Sequence, residues 1–264
     1  MTKITVFGGD KRLRIAEKQL QRYGYEVDTL GLYEDDNALP QSSSVFLLPV
    51  PTTKDGNTVY CPLTNRVITL REIEQLAENK LILCACHSFE GRRFIDYCEC
   101  DAYALRNAVP TAEGAIQIAL EKTPYTLWHS SVLVIGCGRV GKILCDRLKG
   151  FQCNLTVTAR KNADRAYFDA IGIQVADPTR LEEIIGNFDI IFNTVDAPLL
   201  DPFLTRLGGT LLIDLSTKGG FDPKEADRLG IENLKAGGLP AKVAPETAGK
   251  ILADTIAELI RQNI

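Results

Sequence analysis

The most specific chemical signal in this sequence is carried by three glycines. The β-branched run Val132-Leu133-Val134-Ile135 leads directly into Gly136-Cys137-Gly138-Arg139-Val140-Gly141, and a helix-like stretch from Lys142 to Lys149 follows. A strand, a G-x-G-x-x-G turn and a helix in that order predict a dinucleotide site. Gly136 permits the tight turn, Gly138 lets a pyrophosphate approach the backbone, and Gly141 lets the helix pack close to the strand. The amides of the first helical turn, around Arg139 and Val140, then face the phosphates. In NAD sites an acidic residue about 20 positions beyond the motif holds the ribose 2′-hydroxyl. Here Arg160 stands at that position, after Thr156-Val157-Thr158-Ala159, and Lys161 follows it. A cation suits a 2′-phosphate, and a charge-assisted hydrogen bond contributes about 1.5–3 kcal/mol. The sequence therefore predicts NADP over NAD by roughly one to two orders of magnitude.

Two further strand ends should lie near this site. Asn193-Thr194-Val195-Asp196 closes one, and Asp214-Leu215-Ser216-Thr217-Lys218-Gly219-Gly220 closes the next. Asn193 and Thr194 are read as nucleotide contacts, with strand termination as the other reading. A hydroxy-acid dehydrogenase would also need a general base there, usually a histidine. The only histidines are His87, outside the glycine-motif segment, and His129, before its first strand. The chemistry is expected not to depend on an imidazole. Eight cysteines are spread along the chain, with Cys84/Cys86 and Cys98/Cys100 as C-x-C pairs lacking zinc-finger spacing, so they are read as reduced thiols and no metal is predicted.

The elements that must position these groups alternate between β-like and helical runs, which implies α/β architecture with parallel sheets. Lys3 to Phe7 runs through Gly8-Gly9-Asp10 into a helix from Lys11 to Tyr23, stopped by Gly24. Strands follow at 26–30, 45–48, 81–86 and 102–105, with helices near 71–78 and 89–97. Six strands from Val132 to Leu234 suit a complete Rossmann-type dinucleotide-binding sheet. Residues 1–108 then form a smaller flavodoxin-like parallel α/β domain, completed by a C-terminal helix over 245–264. Residues 109–126 are an inter-domain helix starting near Thr111, and 127–244 the NADP-binding domain, with their loops walling a cleft.

Composition narrows the function. The 264 residues are 45% hydrophobic and 24% charged, which excludes extensive disorder, and the net charge of −4 argues against a polyanion binder such as a nucleic-acid protein. No apolar run is long enough to span a membrane. A cytoplasmic protein is expected.

Phe7-Gly8-Gly9-Asp10-Lys11-Arg12, the segment Asn107 to Gly114, the glycine fingerprint with its strand end at Arg160, and the G-L-P-A-K-V-A-P-E-T-A-G run from Gly238 to Gly249 together resemble the dipicolinate synthase A-subunit family. The resemblance covers nearly the whole chain. It implies an NADP-dependent oxidation of dihydrodipicolinate to dipicolinate in the mother cell of a sporulating bacterium, with the flavoprotein-like B-subunit of dipicolinate synthase as partner. A homodimer is left open. Gaining an aromatic ring makes a dedicated base less necessary, which agrees with the missing histidine. A dicarboxylate needs positive partners. Arg12 and Lys218 are therefore the expected catalytic and substrate-binding groups, joined by helix N-termini at Thr111 and Glu246. Arg12 as a surface helix residue and Asp10 as a turn-former are the competing readings. The alternative functions are a 2-hydroxy or amino acid dehydrogenase and a non-catalytic NADP-binding regulatory protein.

Overall fold

The computed structural model describes residues 2–36 and 42–264. The chain divides into two units, Met1–Asn107 with Pro240–Ile264, and Ala108–Leu239.

In the first unit, β1 (Lys3–Phe7) is followed by α1 (Lys11–Arg22). Asp10 caps α1 by accepting from the Arg12 amide, and Leu13, Ala16 and Leu20 form its buried stripe. The helix closes at Gly24, at φ +89°. There the Gly24 and Tyr25 amides donate to the Gln21 and Leu20 carbonyls, the paired ending that a left-handed residue permits. β2 (Glu26–Leu30), β3 (Val45–Leu47), α2 (Leu70–Leu76), β4 (Leu81–Cys84) and β5 (Phe94–Asp96) complete the layer. All pairings are parallel, in the order β2-β1-β3-β4-β5 that flavodoxin-like sheets use.

Two expected elements are corrected here. The segment 89–97 does not form a helix: Gly91 lies at φ +70° and the edge of β4 offers open backbone groups, so the Ile82 amide pairs with the Arg93 carbonyl and Phe94–Asp96 becomes a strand. Residues 102–105 are not a strand but part of α3 (Asp101–Lys122), one 22-residue helix with Pro110 inside it. The separate helix over 109–126 is therefore only the latter part of α3. An interior proline costs about 3 kcal/mol. Burial of Ala108, Ala112, Ala115, Ile116 and Ala119 along the same helix outweighs it.

The second unit continues with β6 (Ser131–Ile135), α4 (Arg139–Lys149), β7 (Asn154–Thr158), α5 (Asn162–Ala170), β8 (Gln174–Ala176), α6 (Leu181–Ile184), β9 (Ile190–Asn193), β10 (Leu211–Asp214), α7 (Pro223–Arg228) and β11 (Asn233–Lys235). Its sheet is parallel in the order β11-β10-β9-β6-β7-β8, the doubly wound Rossmann order. The strand order reverses between β6 and β9, so their carboxyl ends flank the crevice where such sheets bind ligands. The chain ends with α8 (Leu239–Val243) and α9 (Pro245–Asn263). Leu252, Ala253, Ile256 and Ile260 of α9 join the core formed by Leu13, Ala16 and Leu20 of α1. Gly249 makes that approach feasible, because a Cβ there would lie 2.6 Å from Ile15 and 2.7 Å from the Arg12 carbonyl oxygen. Among the described residues no helix is long and apolar enough to cross a membrane.

Candidate dinucleotide site

The three glycines of the fingerprint face three different surroundings. Gly136 lies at φ +96°, and a Cβ on it would meet Thr194 Oγ1 at 2.6 Å and a Val195 methyl at 2.7 Å. A Cβ on Gly141 would collide with the Gly136 carbonyl, so only glycine lets α4 sit this close to β6. Gly138 differs from both: its Cβ would meet no protein atom within 4 Å. Open space therefore lies against the backbone at the start of α4. Gly138 is the N-cap of α4 and supplies no side-chain acceptor to the first turn. The amides of Val140 and Gly141 thus point toward that space, where a helix favours an anion. This surface fits the pyrophosphate of a dinucleotide.

Hydrogen bonds between strand ends hold the turn. The Gly136 amide donates to Thr158 Oγ1 at 3.1 Å, and the Thr194 amide and hydroxyl both donate to the Ile135 carbonyl at 2.9 Å. Thr194, expected as a nucleotide contact, is thus a clamp across the β6–β9 crevice that keeps only acceptor capacity. Asn193 is a clearer correction. It is fully buried, its Nδ2 donates to the Val195 carbonyl (3.0 Å) and Asp214 Oδ1 (2.8 Å), and its Oδ1 accepts from the Val195 amide (3.2 Å). Every polar atom is committed inside the protein, leaving nothing for a ligand.

Arg160 stands at the carboxyl end of β7, exposed and in no described ion pair, with Lys161 next to it as the N-cap of α5. Beside them Lys142 pairs with Asp164 at 2.8 Å. The hydrogen bond between these two raises the Lys142 pKa and lowers that of Asp164. Arg160 also acts on Cys137 in the glycine turn, although burial dominates there and pushes the Cys137 thiol up. The cations of this edge therefore reach the mouth of the turn. Arg139 opens α4 from the same loop and is exposed.

Lys218 lies on the loop after β10, and the loop is unusually well tied down. Asp214 is buried and accepts from the Ser216 amide (3.0 Å), the Gly220 amide (2.9 Å) and Asn193. Asp196, after β9, accepts from the amides of Thr217 and of Lys218 (3.1 Å). The result is an exposed ammonium on a rigid backbone at the carboxyl edge of the sheet. Sequence reading missed Asp214, Asp196 and Ser216 as the supports of this loop. Their partners lie on other strand ends, although an acidic residue at each strand end was a visible signal.

The remaining expected groups fall elsewhere. In the first unit, Arg12 is only 6% exposed. It donates from Nε and Nη2 to Asp10 (3.0 and 2.7 Å) and from Nη2 to the Val50 carbonyl (2.7 Å). Burial opposes its charge, but Asp10 outweighs this and raises its pKa. It is neither a surface residue nor a freely presented cation: it is a clamp between the ends of β1 and β3, with Nη1 as the nitrogen lacking a described partner. Asp10 is accordingly a cap and counter-ion. Thr111 is corrected, because it sits in the middle of α3, where backbone amides are committed to the preceding turn. Glu246 is an exposed acidic residue in the first turn of α9, after Pro245 and without a side-chain cap, so it brings its own negative charge to the positive helix end. His129 precedes β6 at the amino edge of its sheet, and His87 packs edge-on against Phe89 in the first unit. The carboxyl edge of the second sheet therefore carries no histidine.

Comparisons with known proteins agree with this division. Residues 3–105 match the family model of the dipicolinate synthase A-subunit N-terminal domain, and residues 107–199 match that of the D-isomer specific 2-hydroxyacid dehydrogenase NAD binding domain. The chain is 30% identical to the dipicolinate synthase A-subunit of Bacillus subtilis, over 98% of its own length and 96% of the relative's. A crystal structure of the corresponding dipicolinate synthase protein from Bacillus halodurans superposes with a TM-score of 0.89 at 26% identity, covering 98% of this chain and 97% of that one. The crystal structure of the Bacillus subtilis protein gives 0.88 at 29% identity, covering 99% and 96%. The second unit is thus a nicotinamide-dinucleotide domain of the dehydrogenase type.

Proposed function

The chain belongs to the dipicolinate synthase A-subunit family, and from that premise we propose that it oxidises dihydrodipicolinate to dipicolinate with NADP, working with a flavoprotein-like B-subunit in the mother cell of a sporulating bacterium. The observation that carries this reading is the open backbone surface at Gly138, at the start of α4, with Arg160 and Lys161 at the neighbouring strand end. Val140 and Gly141 hold the pyrophosphate by their amides, and Arg160 and Lys161 take the 2′-phosphate. The nicotinamide supplies the hydride acceptor when bound. Lys218 holds a substrate carboxylate, and the rigidity of its loop limits the orientations the ring can adopt. The ring loses a hydride and a proton as it becomes aromatic. No imidazole takes that proton at this edge, so the proton leaves to water in our reading.

The test is turnover of dihydrodipicolinate with NADP or NAD, with and without the B-subunit, followed through reduced nicotinamide. We expect turnover that prefers NADP, and a raised KM with a smaller change in kcat for Lys218→Ala. Oxidation of 2-hydroxy acids in its place would favour the hydroxy-acid dehydrogenase reading. NADP binding without turnover of either substrate, even with the B-subunit present, would favour a regulatory role.

A further inference from the structure

The register of the first sheet places Cys84 of β4 opposite Asp96 of β5. Two residues further along each chain stand Cys86 and Cys98, at the carboxyl edge. Both lie just past the paired strand ends, Cys86 after β4 and Cys98 in the single 3₁₀ turn Tyr97–Glu99 that follows β5, so the sheet brings them to the same edge. The two thiols share a hydrogen bond, with Cys98 donating to Cys86. Cys86 is exposed and Cys98 half-buried.

The surrounding backbone fixes this pair. Cys86 has φ +56°, a left-handed conformation unusual for a side-chain-bearing residue. The preceding Ala85 holds it there, donating to Thr52 Oγ1 at 2.9 Å and accepting from the Thr52 amide at 3.0 Å. On the other side the Cys98 amide donates to Asp96 Oδ1 at 2.9 Å. Cys84 is buried and its thiol donates to the His87 carbonyl at 3.1 Å, so it does not compete.

We propose that Cys86 and Cys98 form a thiol–disulfide exchange site, with Cys86 as nucleophile and Cys98 as resolving thiol, for small neutral or cationic disulfides. The Cys86 thiolate bonds to one sulfur of R–S–S–R while the S–S bond breaks and RS⁻ leaves. Cys98 then loses its proton and attacks the Cys86 sulfur, expelling the second RS⁻. The cysteine pair is oxidised by two electrons, the small disulfide is reduced to two thiols, and the two cysteine protons end on those thiols. The hydrogen bond from Cys98 lowers the Cys86 pKa and raises that of Cys98, which supports this order of attack. The preference for substrate charge comes from Asp96 and Glu99, whose carboxylates act on Cys86. Arg12 is the cation that acts on Cys98.

The full-length chain, reduced and desalted, is mixed with cystamine or oxidised glutathione, quenched, and digested with trypsin without reductant. Fragmentation of linked Leu81–Arg92 and Phe94–Arg106 should place the bond between Cys86 and Cys98. Cystamine should react about tenfold faster at low salt, with the difference narrowing as salt is added. Cys98→Ser should stop at a stable mixed disulfide on Cys86, Cys86→Ser should form neither species, and Cys100→Ser should still form the bond. Linkage through Cys84 or Cys100, no linkage, or an unmodified Cys86 in a Cys98→Ser chain with native circular dichroism would overturn the assignment. Equal rates for the two disulfides would overturn the charge preference.

Discussion

Replacing Gly138 by alanine separates binding from stability in a way that Gly136 and Gly141 do not allow. Gly138 has φ −71° and ψ −163°, which alanine adopts without strain, and its added methyl meets no protein atom within 4 Å. The unfolded chain loses freedom, a gain of about 0.4–1 kcal/mol, while alanine is a poorer N-cap than glycine by a comparable amount of roughly 0.5–1 kcal/mol. The two offset, so the melting temperature should move by less than about 4 °C. The methyl does, however, occupy the space into which Val140 and Gly141 direct their amides. Losing close approach to the pyrophosphate should weaken NADP by at least about tenfold, or roughly 1.4 kcal/mol. Gly136→Ala is the opposing control. Its φ of +96° and the 2.6 Å approach to Thr194 Oγ1, whose hydroxyl is already committed to Ile135, predict a loss of about 2–4 kcal/mol of stability. Calorimetric titration with NADP and thermal melts of both variants decide the matter. A Gly138→Ala chain that binds NADP as tightly as the parent would refute the placement of the pyrophosphate, and a Gly136→Ala chain of unchanged stability would refute the steric argument.

Three other outcomes follow from the same geometry. Arg160→Asp should lower the preference for NADP over NAD by roughly one to two orders of magnitude, measured as the ratio of dissociation constants. Asp214→Asn puts an N–H donor where two backbone amides and Asn193 donate to a buried carboxylate, and should cost about 2–4 kcal/mol in urea unfolding while raising the KM that depends on Lys218. The amide and hydroxyl of Thr179 and the Arg165 ion pair lower Asp177 from 3.8 to about 2. A depressed carboxylate contributes stability that is present above its unfolded value and lost as pH falls through the folded one. Asp177→Asn should therefore flatten that part of the acid limb between pH about 4 and about 2, read from urea midpoints across this range.

Much of the site could be read locally, and the reading failed where partners were distant. The roles of Gly136 and Gly141 follow from positions a few residues apart, and Arg160 follows from the length of one βαβ step. Asn193 and Thr194 carried the right residue types at the right strand end, yet their side chains turn inward because β9 lies between β6 and β10. Ile135 on one side and Asp214 on the other meet their polar atoms before any ligand does. Thr111 failed for an energetic reason. Asn-Ala-Val-Pro predicts a break, but one missing hydrogen bond at Pro110 is outweighed by apolar burial before and after it.

The sequence by itself determined the α/β class, the six strands of the second sheet and the glycine turn, because each depends on periodicity and backbone permission over fewer than about twelve residues. Only the tertiary structure decided that Arg12 is an internal clamp, that Asp214 and Asp196 make the Lys218 loop rigid, and that Cys86 meets Cys98. Each of these rests on which strand ends become neighbours. Sheet order is set by the burial of whole faces, and no short stretch of chain contains that information.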